Sequence, residues 1–314
     1  MGPGPTMTSG SVPVSSAVPA SGTHGGDGAA VALALGLDVD DLLDLSQSLN
    51  PFAPDPRPVV ARHLDQLGRY PDSRPATLAL ATAMDVDPGR LLLTNGGAEA
   101  IALVAAELGR GWVDEPDFAL YRRSLGALDT TGPRFRSNPH NPTGLLAPAT
   151  ERAAVWDEAF FPLATGGWTR GDADSIVVGS LTKLLACPGL RVGYVLAPDT
   201  AFIAQLHVRQ PQWAVNGLAC GALPELLDAV DLPAWSTRLA TARAELVGRL
   251  GQHGLTAQPS DAAWVLLDAP DLRAKLAPRG VLVRDCASFG LPGVVRIAVP
   301  DSAGLARLIT ALAD

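Results

Sequence analysis

Apolar positions along the first two thirds of the chain alternate between short runs and stretches with helical spacing. Leu91–Thr94 is a strand-length apolar run, and the residues after Gly96 and Gly97 have the spacing of a helix. Three further strands are predicted at 155–156, 175–178 and 191–196. Strands that alternate with helices predict an α/β domain with a largely parallel sheet, here assigned to residues 51–222.

The pattern changes after residue 222. A long amphipathic helix is predicted at 235–250, and shorter elements follow it at 263–267, 272–276, 281–284, 294–299 and 302–312. This order predicts a smaller α+β domain over 223–314. Residues 24–50 are expected to form an N-terminal arm. Residues 1–23 are rich in Gly, Pro, Ser and Thr and lack a hydrophobic period, which predicts a disordered leader.

Composition narrows the range of partners. The 314 residues are 47% apolar and carry a net charge of −8, with scattered arginines, so a large core and no nucleic-acid partner are expected. The apolar stretch at 29–37 is too short to span a bilayer and follows no basic segment, so neither a membrane anchor nor a signal peptide is expected. Three cysteines without CxxC spacing indicate free thiols in a reducing cytoplasm and no metal site.

Lysine is rare in this chain, which has two lysines and 22 arginines. A primary amine can form a Schiff base with an aldehyde, whereas a guanidinium cannot. Lys183 follows Ser180 in a Ser-Leu-Thr-Lys segment, and Lys275 lies on the polar side of the helix predicted at 272–276. The rarity of lysine does not by itself show which of the two forms a Schiff base, so the segments around each lysine have to be compared.

Three other segments could contact a ligand. Gly96 and Gly97 at a strand-to-helix turn could offer N–H groups to a phosphate, although an ordinary helix start has the same pattern. The two Asn-Pro units at 138–144 form a rigid turn that could present Asn141, or else a plain proline-rich loop. Asp157 follows an apolar run and would lie at the carboxyl edge of the sheet, unless it only caps a helix.

In chain order, these segments resemble the class I/II aminotransferase superfamily, the fold-type I enzymes that use pyridoxal 5′-phosphate. The shared order is a glycine turn, Asn-Pro-x-Gly, Asp-Glu-Ala-Phe, Ser-x-Thr-Lys, Gly-Leu-Arg-x-Gly-Tyr and a late arginine, over about residues 24–314. The resemblance implies a transferase-like large domain with a mostly parallel sheet and a smaller α+β domain. It also implies a homodimer with shared active sites.

The resemblance implies a role for each matching residue. Lys183 would hold the cofactor and move protons at the substrate carbon, Asp157 would keep the pyridine nitrogen protonated, and Asn141 would hydrogen-bond the ring hydroxyl oxygen. Phe118 would stack on the ring, and Tyr70 would reach the cofactor phosphate of the neighbouring subunit. That phosphate would otherwise be held by Gly96, Gly97, Ala98, Ser180 and Arg191.

Within the superfamily the likeness extends to threonine-phosphate decarboxylases, through the segments at 24–26, 45–51, 210–216 and 283–291. It implies that Arg296 binds the substrate carboxylate and that Asn50 also contacts the substrate. His24 and Arg284 are candidates for the substrate phosphate, with a loop histidine and a surface arginine as alternatives. The implied activity is cytoplasmic decarboxylation of L-threonine O-3-phosphate in cobalamin biosynthesis. An aminotransferase for histidinol phosphate or an aromatic amino acid, and a non-catalytic binding protein, are the alternatives.

The chain departs from the family pattern in composition and in length. Phe160 replaces a frequent tyrosine, Ala98 lacks a frequent hydroxyl, and Gly179 stands where an arginine often occurs. Two intervals are also short, since only 16 residues separate Tyr121 from Asn138 and only 12 separate Gly144 from Asp157. We therefore expect a compact variant with a trimmed sheet.

Overall fold

The computed structural model describes residues 18–22 and 25–313. An N-terminal arm contains helix α1 (Gly28–Leu35) and strand β1 (Leu43–Asp44). The arm packs against the end of the chain, because β1 pairs with a strand at Val281–Leu282 and a buried ion pair joins Asp27 to Arg273 at 2.7 Å. Val31 of α1 and Leu282 belong to one buried apolar cluster. Val18 packs against this cluster, so this part of the predicted leader contacts the small domain.

A seven-stranded sheet forms the centre of the large domain. In sheet order its strands are β2 (Leu91–Asn95), β8 (Val192–Leu196), β7 (Ile176–Ser180), β6 (Val155–Asp157), β5 (Arg134–Ser137), β3 (Arg110–Val113) and β4 (Ala127–Leu128). Within this sheet β8 runs antiparallel to both β2 and β7, and the remaining pairs are parallel. The carboxyl ends of β2, β5, β6 and β7 therefore share one edge with the start of β8.

Helices cover both faces of this sheet. They are α2 (Arg57–Ala61), α3 (Arg74–Met84), α4 (Gly96–Leu108), α5 (Ala119–Ser124), α6 (Phe161–Thr165), α7 (Leu181–Leu184), α8 (Thr200–Arg209) and α9 (Gly217–Asp228). Successive residues of β8 pack on opposite faces of the sheet. Val195 belongs to the hydrophobic cluster that includes α4 and α8, and Leu196 belongs to the cluster that includes α3 and α9. Burial on both faces explains why the central strands are continuous apolar runs.

The small domain contains α10 (Leu232–Gln252), β9 (Trp264–Asp268), α11 (Leu272–Leu276), β10 (Val281–Leu282), β11 (Arg284–Asp285), β12 (Val294–Ala298) and α12 (Ser302–Ala313). Strand β12 lies between β9 and β11, antiparallel to both. This pairing sets Arg284 directly opposite Arg296. Among the described helices, none is long and apolar enough to cross a membrane.

The structure confirms the predicted α/β order and adds three observations. The predicted boundary at 222/223 falls inside α9, which packs on α3. Strands β3, β4 and β5 were not predicted. The sheet has seven strands, and residues 138–154 join β5 to β6 without a helix or strand.

Candidate active site

The sheet edge at which β5, β6 and β7 end forms the floor of a cavity of about 470 Å³. Most of the predicted site residues line it, namely Gly97, Ala98, Phe118, Asn141, Asp157, Ser180, Lys183, Arg191, Arg284 and Arg296. The two arginines at 284 and 296 come from the small domain, whereas the other residues come from the large domain. The fold thus brings together side chains that are far apart in sequence.

Lys183 lies in α7, directly after β7 ends at Ser180. Burial, and then the cations of Arg296 and Arg191, lower the pKa of its amine to about 8, while Asp44 acts in the opposite direction. Lys275, in contrast, is exposed on α11. Lys183 is therefore the lysine whose amine can be neutral near physiological pH.

Asp157 ends β6 and faces the cavity. The Tyr121 hydroxyl donates to its Oδ2 at 2.8 Å, and the Ala159 N–H donates to its Oδ1 at 3.0 Å. Burial raises the pKa of the Asp157 carboxyl, while these two donors favour its charged form. The sequence reasoning did not identify Tyr121, although its position three residues after Phe118 on α5 could have indicated a shared helix face.

A cup forms where the start of α4 meets the start of β8. Gly96 has a φ of +75°, and a Cβ there would lie 2.7 Å from Nη2 of Arg191. A Cβ on Gly193 would lie 2.4 Å from the carbonyl carbon of Gly96, so both positions require glycine. The Ser180 side chain lies beside Gly97. A helix N-terminus, a hydroxyl and a guanidinium thus surround one space, which is suited to a phosphate.

Two buried arginines lie on the opposite side of the cavity. Arg296 is 7% exposed and donates from Nη1 to Oδ1 of Asn141 at 2.9 Å. Burial, and then the neighbouring Arg284 cation, lowers the pKa of Arg296 to about 10. Arg284 is only 1% exposed, which excludes the alternative of a surface arginine. Two adjacent buried cations favour a ligand that carries negative charge.

Among the described residues, three predicted site residues, Gly96, Asn50 and Tyr70, are not part of the cavity lining. Asn50 donates from Nδ2 to the Leu184 carbonyl at 3.0 Å and accepts the Phe52 N–H, so its side chain supports the Lys183 segment, and the substrate contact stays a prediction. Tyr70 is 75% exposed and stacks on Trp213, outside the cavity. His24 lies outside the described residues.

The departures from the family pattern have local explanations. Phe160 packs edge-on against Trp264, with the ring centroids 4.7 Å apart, and also lines the cavity. A Cβ on Gly179 would lie 2.2 Å from the Tyr194 ring, so the buried tyrosine excludes an arginine there. Ala98 remains in the cavity lining without a hydroxyl.

A family model described as aminotransferase class I and II matches residues 135–312. This match includes more than half of the chain, together with Lys183, Asp157 and Arg296. The chain belongs to the class I and II aminotransferase family. The fold agrees with this assignment, because the structure of L-threonine-O-3-phosphate decarboxylase from Porphyromonas gingivalis superimposes with a TM-score of 0.74 at 23% identity, over 86% of this chain and 98% of that chain.

Two relatives of this aminotransferase-family chain differ in activity. Threonine-phosphate decarboxylase of Salmonella typhimurium is 32% identical over 351 residues, covering 92% of this chain and 95% of the relative. Histidinol-phosphate aminotransferase of Halorubrum lacusprofundi is 29% identical over 343 residues, covering 90% and 93%. Both aligned lengths exceed the 314 residues of this chain, so the relatives carry segments without a counterpart here.

Pyridoxal 5′-phosphate is the cofactor of this family, and the residues present fit it. When bound, it supplies an aldehyde for a lysine amine and a ring that withdraws electrons from the substrate carbon. Lys183 would bind the aldehyde, the cup of Gly96 and Arg191 would bind the phosphate, and Asp157 would accept the pyridine N–H. Because Arg296 occupies Oδ1 of Asn141, the Asn141 Nδ2 would donate to the ring oxygen.

Proposed function

We propose that this protein removes carbon dioxide from L-threonine O-3-phosphate and forms (R)-1-amino-2-propanol phosphate, a step in cobalamin biosynthesis. The observation that carries the proposal is the pair of buried arginines, Arg284 and Arg296, that face each other across β11 and β12 in the same cavity as Lys183. A phosphorylated amino acid carries two anionic groups, one for each guanidinium.

The two arginines would hold the substrate by its ends. Arg296 is anchored to Asn141 and would bind the carboxylate, whereas Arg284, beside the glycines of the arm, would bind the phosphate. A Cβ on Gly25 would lie 3.4 Å from Nη1 of Arg284, so the arm closes this end of the cavity. Histidinol phosphate has a phosphate but no carboxylate and would leave Arg296 without an anion.

The choice of reaction depends on which group at the substrate carbon the site residues hold for removal. Arg296 would hold the carboxylate, which would leave as carbon dioxide, because the bound cofactor withdraws the electrons of the broken bond from the substrate carbon. Lys183 would then return a proton to the same carbon, since its pKa of about 8 allows both protonation states. Phe160, which offers no hydroxyl to the ring oxygen, is compatible with the decarboxylases of this family.

The second candidate is an aminotransferase for histidinol phosphate or an aromatic amino acid, which the 29% identity to the Halorubrum enzyme favours. For either activity we propose a homodimer in which Tyr70 reaches the partner's cofactor phosphate, because this residue is exposed and lies outside its own cavity. We also propose a cytoplasmic location, which the three free, buried cysteines support.

A product assay separates the two activities. We expect the protein loaded with pyridoxal phosphate to release carbon dioxide and aminopropanol phosphate from L-threonine O-3-phosphate without an oxo acid. The R284A variant should raise KM for this substrate at least about tenfold through loss of a charge-assisted contact. R279A, which removes an exposed arginine, is the control. Amino transfer from histidinol phosphate to 2-oxoglutarate, without release of carbon dioxide, would overturn the proposal.

A further inference from the structure

Asp117 is a buried acid that lies behind the cavity wall and has no role in the mechanism above. It is 3% exposed, precedes α5 and is not part of the cavity lining. Its Oδ1 accepts the Phe118 N–H at 2.7 Å and the Ser137 hydroxyl, and its Oδ2 accepts the Ser137 N–H at 3.1 Å. One carboxyl group therefore joins the start of α5 to the end of β5.

Ser137 transmits this contact to the next loop. The Asn141 N–H donates to Oγ of Ser137 at 2.8 Å. A serine hydroxyl has one hydrogen, and since that hydrogen points to Asp117, the oxygen lone pairs face Asn141. Asp117 thus fixes the direction in which Ser137 accepts, and Ser137 fixes the backbone of Asn141.

The two segments that Asp117 joins carry different predicted contacts to the cofactor. Phe118 would lie on the ring face, and Asn141, which also accepts from Arg296, would lie at the ring oxygen. We propose that Asp117 is a positioning residue, whose carboxyl group sets Phe118 and, through Ser137, Asn141 in the arrangement that the cofactor ring requires. This inference rests on the proposed roles of Phe118 and Asn141.

The chemistry of the side chain at position 117 matters, and not only its volume. An asparagine could accept the Phe118 N–H and the Ser137 hydroxyl at Oδ1, but its amide NH₂ would face the Ser137 N–H, donor against donor. Burial raises the pKa of Asp117 to about 7, while the donors from Ser137 and Phe118 and the Arg136 guanidinium at 3.8 Å act in the opposite direction.

A purely structural role for Asp117 is the alternative, and the chain offers a matched control for it. Glu158 is 1% exposed, and its burial also raises its pKa to about 7. Its carboxyl group accepts the Arg170 N–H at 3.1 Å and is not part of the cavity lining. E158Q thus alters a comparable buried acid without touching the link between Phe118 and Asn141.

The test measures the affinity of the apoprotein for pyridoxal phosphate by absorbance titration, together with thermal unfolding of each apo variant. D117N and S137A should each raise Kd about tenfold, because D117N loses the bond from the Ser137 N–H and S137A loses the hydroxyl's bonds to Asp117 and Asn141. E158Q should change Kd by less than about twofold, since it lies outside the link. In the N141A background S137A should have no further effect, because the side chain it positions is absent.

Each outcome bears on the inference. If D117N and S137A lower thermal stability but leave Kd unchanged, the role is structural and the inference is wrong. If D117N does not fold, the Kd and the thermal stability of S137A test the inference in its place. If N141A weakens binding and S137A does not, only the inference fails and the proposed function stands. If neither N141A nor F118A changes Kd, the proposed site roles fall and the inference falls with them, whereas the product assay judges the reaction separately.

Discussion

At the scale of single residues, the state of Lys183 depends on its surroundings more than on its type. With a pKa of about 8, about one tenth of its amine is neutral at pH 7, compared with well under one in a thousand for an ordinary lysine. Two nearby cations, Arg296 and Arg191, contribute to this shift. The two arginines that we propose hold the ligands thus also lower the pKa of the Lys183 amine.

Removing one of these cations should change the pH dependence of cofactor binding. The rate at which the wild-type apoprotein binds pyridoxal phosphate should rise with pH around a midpoint near 8, as Lys183 loses its proton. In R296A the midpoint should move to higher pH, because the lost positive charge no longer disfavours the protonated amine. Stopped-flow absorbance at a series of pH values measures this. R279A should keep the wild-type midpoint, and an unchanged or lower midpoint in R296A would contradict the prediction.

Tyr121 should support the charged form of Asp157. In Y121F the hydroxyl donor is absent, so the pKa of Asp157 should rise and its carboxylate should pair less with a protonated pyridine nitrogen. We expect Kd for pyridoxal phosphate to rise about tenfold, and more at pH 6 than at pH 8. Y194F, which removes a buried hydroxyl outside the cavity lining, is the control. Equal Kd values for Y121F and wild type would refute this role.

The sequence identified site residues where a local motif carries them and failed where the partner is distant. Lys183 and Asp157 lie in short segments with distinctive neighbours. Tyr121 contacts Asp157, which lies 36 positions away, only in the folded chain. Asn50 shares a segment with cavity residues, but no motif indicates that its amide turns to the Leu184 carbonyl.

At the scale of elements, strands with a clear local pattern could be predicted, and strands whose polar residues pair with distant residues could not. The central strands β7 and β8 are almost continuous buried apolar runs and could be predicted. Strand β5 alternates between buried and partly exposed residues, and its Arg134 and Arg136 both contact Glu151. Because β5 has only one apolar residue among its four, the alternation of apolar and polar residues that marks a strand with one polar face is not recognisable in the sequence. Both arginines of β5 thus pair with Glu151, which lies outside the strand, so no local pattern reveals their partner.

Glu158, which directly follows β6, should make the free energy of unfolding depend on pH. The pKa of Glu158 is raised from 4.5 to about 7 by burial, so its stabilising protonated form is lost as pH rises through about 7. Glutamine cannot ionise, so E158Q should gain stability relative to wild type between about pH 5 and pH 8, by up to about 3 kcal/mol. Urea unfolding across this range measures the difference. A difference that stays constant with pH would show that folding does not shift the pKa of Glu158.

At the scale of the whole molecule, one core joins the two domains. The largest buried cluster extends from Leu80 of α3, through Val177 of β7, to Trp264 of β9 and Leu308 of α12. The small domain therefore holds Arg284 and Arg296 in a fixed relation to the sheet edge. The division at 222/223, predicted from a change of pattern, could not reveal this shared core.

Shared active sites can be tested by mixing two inactive variants. K183A and Y70A should each be inactive or nearly so as homodimers. A mixed dimer has one site with both side chains intact, because Lys183 comes from one chain and Tyr70 from the other. Refolding the two variants together should therefore restore part of the activity, up to about one quarter of wild type for random pairing. No recovery from a mixture that does form dimers would contradict sharing.

The reversed direction of β8 has a consequence for how the chain is made. This strand pairs with both β2 and β7, so the cup between Gly96 and Arg191 cannot close until β8 has left the ribosome. The arginines of β11 and β12 are synthesised later still. The residues of the cup are therefore all synthesised before the two arginines that we propose bind the substrate, although the core beneath the cup is completed only with the small domain.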